Sequence, residues 1–381
     1  MMRAHILYIN FLKPDGEGIS IGGVQTYIAN LIPVLKDVGY TAVTIYQRAT
    51  KEFHKIFEEY EVYGIAHPDT YGPKVSKALL DKALEYIDLS HDLLLYGCET
   101  VVYRKMPCRT IAIQHGISWD IACNTCSGQR YIRHYLGKCW LAWKTIQRVN
   151  KVDQLICVDH NFVNWHRAIS PYTKTKHIVI PNFSALPARQ IPKSDEHLRI
   201  IFARRFVPHR GTRLFVNVAQ RLIKAHPHIS ITIAGSGPDE DYMRQKLASF
   251  DNVEFITYDS QDSLKIHANK DIAVIPTLGS EGTSLSLLEA MASSCAVVCT
   301  NVGGMTNIVL DGYNGLMVSP EENALYDAIH QLIEDASLRH TLQSRAYNTV
   351  KNAFSLSIWQ KKWRMVLQGE CHIHDAQICC S

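Results

Sequence analysis

The apolar run Asp271-Ile272-Ala273-Val274-Ile275-Pro276 leads into Ser280-Glu281-Gly282-Thr283-Ser284-Leu285-Ser286-Leu287-Leu288-Glu289-Ala290-Met291-Ala292, and no other part of the chain limits the fold as strongly. An unbroken apolar segment closed by proline and glycine reads as a parallel strand buried on both faces. Leu285, Leu287, Leu288 and Met291, set among helix formers, predict a helix starting near Thr283 or Ser284. A strand passing through a loop into a helix N-terminus is the repeating unit of a parallel α/β sheet, and its free first-turn amides hold anions. The amides near Ser284, Leu285 and Ser286 are therefore candidate phosphate ligands.

Glu281 and Glu289 flank this turn. Eight residues of helix span roughly 12 Å, whereas two carboxylates that attack and protonate one glycosidic bond sit about 5–9.5 Å apart. The pair suits two grips on an elongated ligand with its phosphates between them, and a nucleotide sugar has that shape. Taken alone, the pair is equally compatible with an ordinary strand–helix junction and two solvated carboxylates.

At 381 residues the chain predicts two domains more readily than one. A net charge of +4 is too small to argue for nucleic acid, and no apolar run is long enough to span a bilayer. Eleven cysteines, an odd number, with no secretory signal pattern at Met1-Met2-Arg3-Ala4-His5 point to a reducing, cytoplasmic setting.

In chain order, a strand at 5–10 opens into a glycine-bearing loop that ends in Gly22-Gly23, and a helix over 24–38 and a strand over 41–46 follow. This is a βαβ start without the G-x-G-x-x-G dinucleotide fingerprint, which disfavours an NAD oxidoreductase. Gly22 and Gly23 would let backbone approach a ligand at a helix N-terminus. Residues 64–89 read as helical, with a Gly72-Pro73 break. Further strands are expected at 93–96, 110–114, 154–158 and 177–180. His115, at the carboxyl end of the strand over 110–114, points toward the ligand crevice of such a sheet.

Between Ile121 and Val152 there is no acidic residue, while Arg130, Arg133, Lys138, Lys144, Arg148 and Lys151 alternate with Tyr131, Tyr135, Trp140, Leu141 and Trp143. Such a stretch can lie on an anionic membrane surface, or it can be a half-buried helix with solvated cations. Cys123 and Cys126 have zinc-like spacing, but no second pair closes a site.

The proline-bearing segment 184–197 reads as a linker. Beyond it, strands are expected at 199–203, 229–234, 253–256, 272–275 and 296–299. Arg205 and Arg210 leave the first of these and lead into a helix near Thr212, well placed to neutralise a diphosphate. Asp239 and Asp241 are read as first-turn helix acids rather than as metal ligands. A last helix, 356–370, would brace the structure, and the tail 371–381 is expected to be disordered.

Together these pieces resemble a family 4 retaining glycosyltransferase of the GT-B fold, two Rossmann-like doubly wound α/β domains facing across a cleft. The resemblance spans roughly residues 5–355 and rests on Gly22 through Thr26, Gln114-His115-Gly116, Arg205 through Gly211, Gly235-Ser236-Gly237-Pro238, and Glu281-x7-Glu289. It implies an acceptor-binding domain at 1–183 and a nucleotide-sugar domain at 198–355. Glu281 would hold donor-sugar hydroxyls and Glu289 the ribose. Gly282, Thr283, Ser284, Leu285 and Ser286 would contact sugar and phosphate, and Arg205 and Arg210 the diphosphate. His115 would line the pocket near the reacting carbon, and Gly22 and Gly23 would close on the phosphate.

The resemblance further implies metal-independent transfer from a nucleotide-diphosphate sugar, with a UDP-sugar favoured, to a glycan or lipid-linked acceptor in cell-surface polysaccharide synthesis. It implies no cofactor and no nucleic acid partner. Peripheral contact with the inner face of the membrane through 130–151 is a further expectation. Three residues depart from the family pattern: Arg204 and Ser284 stand where glycine is frequent, and Asn307 where glutamate is. A GT-B sugar-nucleotide epimerase and a non-catalytic sugar-nucleotide-binding partner are the rival readings.

Overall fold

A computed structural model describes residues 2–20, 22–121, 129–170, 173–188, 197–259 and 262–370. Cys123, Cys126, residues 189–196 of the expected linker and the tail 371–381 lie outside the described residues, as do the side chains of Arg130 and Tyr131.

The first sheet contains β1 (Arg3–Leu7), β2 (Ala42–Ala49), β3 (Phe53–Ile56), β4 (Glu61–Ala66), β5 (Leu93–Tyr96), β6 (Arg109–Gln114), β7 (Gln154–Cys157) and β8 (Lys176–Val179). Their order is β3-β4-β2-β1-β5-β6-β7-β8, parallel except for β3 on the edge. The second sheet contains β9 (Arg199–Ala203), β10 (Ser230–Ala234), β11 (Val253–Ile256), β12 (Ile272–Ile275), β13 (Ala296–Thr300) and β14 (Leu316–Val318), in the order β11-β10-β9-β12-β13-β14 and all parallel.

Helices complete the crossovers. In the first half they are α1 (Gly23–Asp37), α2 (Pro73–Leu84), α3 (Gln129–Val149) and α4 (His160–Ile169). The second half holds α5 (Thr212–Ala225), α6 (Glu240–Leu247), α7 (Ser263–Ala268), α8 (Leu285–Ala292), α9 (Glu322–Glu334) and α10 (Ala336–Thr349). The last helix is α11 (Leu356–Gln368).

Both halves are Rossmann-like. Each sheet has a point where the chain reverses its direction of winding: between β1 and β5 in the first, between β9 and β12 in the second. The loops leaving the carboxyl ends at such points form the ligand crevice of an open parallel sheet. Sequence reasoning about 64–89 needs correction here. Gly64 lies inside strand β4, which alternates buried Val62 and Gly64 with partly exposed neighbours, and a Cβ on Gly64 would collide with the Phe53 ring of β3. The helix begins only at Pro73, with Gly72 as its N-cap.

The chain crosses between the halves twice, and the two crossings pair with each other. Ser184 N–H donates to the Phe354 carbonyl (3.0 Å), and Leu356 N–H donates to the Ser184 carbonyl (3.0 Å). From there α11 packs onto the first half. Trp359 and Trp363 are buried in its core, and Trp363 Nε1 donates to the Tyr27 hydroxyl at 2.8 Å. Arg109 satisfies the carbonyls that end α11, those of Val366 and Leu367, at 2.7 Å each.

Candidate functional site

The carboxyl ends of the two sheets face each other across a cleft of about 600 Å³. It is lined from the first half by Gly22, Gly23, His115 and Asn182, and from the second by Arg204, Arg205, Arg210, residues 280–286 and Glu289. All the site residues expected from the sequence line this one cleft. A neighbouring cavity of about 540 Å³ shares Thr26, Ser263, Leu285 and Glu289 with it.

The 276–284 loop owes its shape to local chemistry. Strand β12 is wholly buried, Ser280 adopts a left-handed φ of 54°, and Ser284 caps α8, its side chain accepting from Leu287 N–H at 3.4 Å. The two halves then press on the loop from both sides. Gly116 has φ +110°, and a Cβ there would fall 2.6 Å from Gly282 N. Gly303, at φ +55°, would place a Cβ 2.1 Å from the Glu281 carbonyl oxygen. Only glycine meets both the sign of φ and the closeness.

Hydrogen bonds across the cleft fix the same loop. Ser280 N–H donates to the Asp120 carbonyl (2.6 Å), Asn182 Nδ2 donates to the Thr283 carbonyl (2.6 Å), and Thr283 Oγ1 donates to the Val158 carbonyl. Asn307 Oδ1 accepts from His160 N–H at 2.8 Å, so this departure from the family pattern serves the contact between the halves.

Glu281, with 10% of its side chain exposed, is held by cations on two sides. Arg204 Nη2 donates to its Oε2 at 2.5 Å and Arg210 Nη1 contacts the same oxygen. Thr277 Oγ1 is 3.4 Å away. Arg204 also reaches Ser284 Oγ (2.9 Å) and Ser286 Oγ (2.8 Å), binding the loop after β9 to the helix after β12. Burial lowers the Arg204 guanidinium to about 10 and Arg210 to about 9, and for Arg210 the crowding of Arg204 and Arg205 acts in the same direction. Both remain charged at neutral pH. Two guanidiniums on one carboxylate, with the Arg205 charge close enough to act on Arg210, leave positive charge for an incoming anion.

Glu289 lies one turn into α8, and burial raises its carboxyl to about 7, opposed by a hydrogen bond from Ser263 and by the Arg204 charge. His115 Nε2 donates to the Gly97 carbonyl at 2.8 Å, which fixes the tautomer and leaves Nδ1 as an acceptor. Burial pulls its pKa down to about 4, so the ring is neutral at neutral pH. It stands edge-on to Tyr27, whose hydroxyl is held by Trp363, so the last helix supports the first-half wall of the cleft.

Sequence reasoning did not place Arg204 or Asn182 in the site. Arg204 does carry a signal in the sequence, standing where glycine is frequent in the family that the chain resembles. Asn182 also carries a buried Oδ1 with no partner among the described residues. Asp239 precedes α6, its carboxylate taken by the Thr212 hydroxyl, with Asp241 in the first helical turn. Among the described residues, the one cluster with metal-ligand spacing is His226, His330 and Glu334. It sits where α5 and α9 end, at the opposite end of the second sheet from the cleft.

Residues 187–349 match the sequence family described as Glycosyl transferases group 1. The match places the likeness in the second half of the chain. The matched span covers β9 through α10, and so includes Arg204, Arg205, Arg210, Glu281 and Glu289. An uncharacterized glycosyltransferase of Methanocaldococcus jannaschii is 23% identical over 355 residues, covering 88% of this chain and 92% of the relative. The gpi3 subunit of the Schizosaccharomyces pombe phosphatidylinositol N-acetylglucosaminyltransferase is 28% identical over 219 residues, 54% of this chain but only 46% of that protein. In three dimensions the chain resembles Anabaena HepE, solved with UDP and glucose, with a TM-score of 0.71 at 16% identity over 97% of this chain and 100% of HepE. The matched region thus sits in a GT-B fold of two Rossmann-like halves.

Proposed function

We propose that the chain is a metal-independent, retaining family 4 glycosyltransferase that moves a hexose or N-acetylhexosamine from a nucleotide-diphosphate sugar to a glycan or lipid-linked hydroxyl. The observation that carries this reading is the meeting of Arg204, Arg205, Arg210, the α8 N-terminus and Glu281 in one cleft between two Rossmann-like sheets. The HepE complex favours UDP as the donor nucleotide, and the phosphatidylinositol-directed relative favours a lipid-linked acceptor.

In this reading Glu281 holds the place of the diphosphate while the cleft is empty. The donor's phosphates take over Arg210 and Arg205 and the free amides at Leu285 and Ser286, and Glu281 is released to accept hydrogen bonds from the sugar. Glu289 accepts from the ribose hydroxyls, and His115 offers Nδ1 to a sugar hydroxyl near the reacting carbon. The bond from the anomeric carbon to the diphosphate oxygen then breaks with the negative charge stabilised by the arginines. The acceptor hydroxyl enters on the same face, the departing phosphate oxygen takes its proton, and configuration is retained. Neutralisation is assigned to arginine, so turnover should survive EDTA.

The test needs no acceptor. Hydrolysis of an α-linked UDP-sugar followed by NMR should release the α-anomer first, and Arg205→Ala should slow it on the order of 100-fold. Initial release of the β-anomer, or near-normal turnover by Arg205→Ala, would contradict the mechanism.

A further inference from the structure

Helix α3 presents its apolar side to solvent. Ile132 is 59% exposed, Leu136 59%, Trp140 53% and Trp143 57%, while Thr145 and Val149 are the buried ones among its described side chains. At 100° per residue these four fall within about 80° of arc, centred roughly 200° from the buried pair, with exposed Tyr135 and Leu141 outside that arc. An ordinary amphipathic helix of a globular protein has the reverse arrangement. Cations edge the stripe: Arg133 is exposed, and Lys144 Nζ sits 3.5 Å over the Trp140 ring. No acidic residue occurs between Ile121 and Val152, so nothing along this helix repels an anionic surface.

We infer that α3 is a membrane-docking element that lies in the interface of an anionic lipid surface. The apolar stripe would enter the headgroup–acyl boundary, the two tryptophans would sit at its interface level, and the flanking cations would meet the phosphates. The charge pattern selects lipid over a second copy of the chain, because two such helices facing each other would bring like charges together. Position adds an argument. Lys138 Nζ donates to the Ile121 carbonyl at 2.6 Å, Ile121 bridges to Gly279, and Ser280 N–H is bonded to Asp120. The docking helix is therefore two contacts from the 280–286 loop, and a lipid-linked acceptor held at the surface would reach the cleft mouth. That consequence rests on the transferase reading, while the docking itself does not.

The experiment is co-sedimentation of the full chain with vesicles of equimolar phosphatidylcholine and phosphatidylglycerol, beside vesicles of phosphatidylcholine alone, at low and high salt. Tryptophan emission is recorded in parallel. Binding to the anionic vesicles with a blue shift, weakened by salt, is expected. The pair Leu136→Glu and Trp140→Glu should abolish it, and Arg133→Gln with Lys144→Gln should weaken it on the order of tenfold. All four positions are exposed or half-buried and outside the cleft, so donor hydrolysis should be unchanged in these variants and serves as the folding control. No binding at low salt, binding unaffected by the glutamates, or a dimer in sedimentation that the glutamates dissociate would each overturn the inference. Loss of donor hydrolysis in wild-type protein with vesicle binding intact would count against the transferase reading alone.

Discussion

Arg204 decides how the site works. Its guanidinium, on the loop after β9, holds Glu281, Ser284 and Ser286 together on the turn that enters α8. Its removal should loosen the loop and strip one cation from the diphosphate site. Arg204→Ala is expected to lower kcat/KM for the donor on the order of 100-fold, and steady-state hydrolysis checks it; an unchanged value would remove Arg204 from the mechanism. Glu289 gives a pH signature. Its carboxyl keeps its proton to about 7, well above the ordinary carboxylate value, and only the ionised form accepts fully from ribose hydroxyls. Donor affinity should therefore rise as the pH rises through this value, by up to about tenfold between pH 6 and pH 8. Glu289→Gln should flatten the profile, measured as donor KM against pH. A profile of opposite slope, or one that Glu289→Gln leaves intact, would contradict the assignment.

At the scale of elements, α11 is the clearest case of a late segment completing an early domain. Trp363 is fully buried against α1, and Trp363→Ala should cost about 3–5 kcal/mol. Chemical denaturation checks this, and a change below about 1 kcal/mol would show that the helix does not brace the first half. The start of α11 and the spans of β9, β11 and β12 fall where the sequence predicts them, β12 as an unbroken apolar run. What was not legible has physical causes. Strand β3 is a short, half-exposed edge strand with β4 beside it, and Gly64 of β4 reads as a breaker until the Phe53 ring that fills its space is seen. Strand β14 has three residues, too few to show a period. The meeting of Arg204 with Glu281 spans 77 residues, and no local pattern records it.

For the whole molecule, the cleft exists because two independently wound sheets turn their carboxyl ends to each other and share hydrogen bonds through the 280–286 loop. Asn182 is part of this join, bonded to the Thr283 carbonyl from the far side. Asn182→Ala should raise donor KM about tenfold while leaving the melting transition nearly unchanged; an unaltered KM would mean that the loop needs no support from the first half. The central claim, that the cleft takes a nucleotide-diphosphate sugar and activates it without a metal, has one direct measurement. Purified protein would be mixed in EDTA with UDP-, GDP- and ADP-sugars, with thermal stability and slow donor hydrolysis recorded for wild type and Glu281→Ala. The account predicts stabilisation by one nucleotide series, the UDP series first, with hydrolysis that Glu281→Ala abolishes. No stabilisation by any of them, or hydrolysis that Glu281→Ala leaves intact, would contradict it.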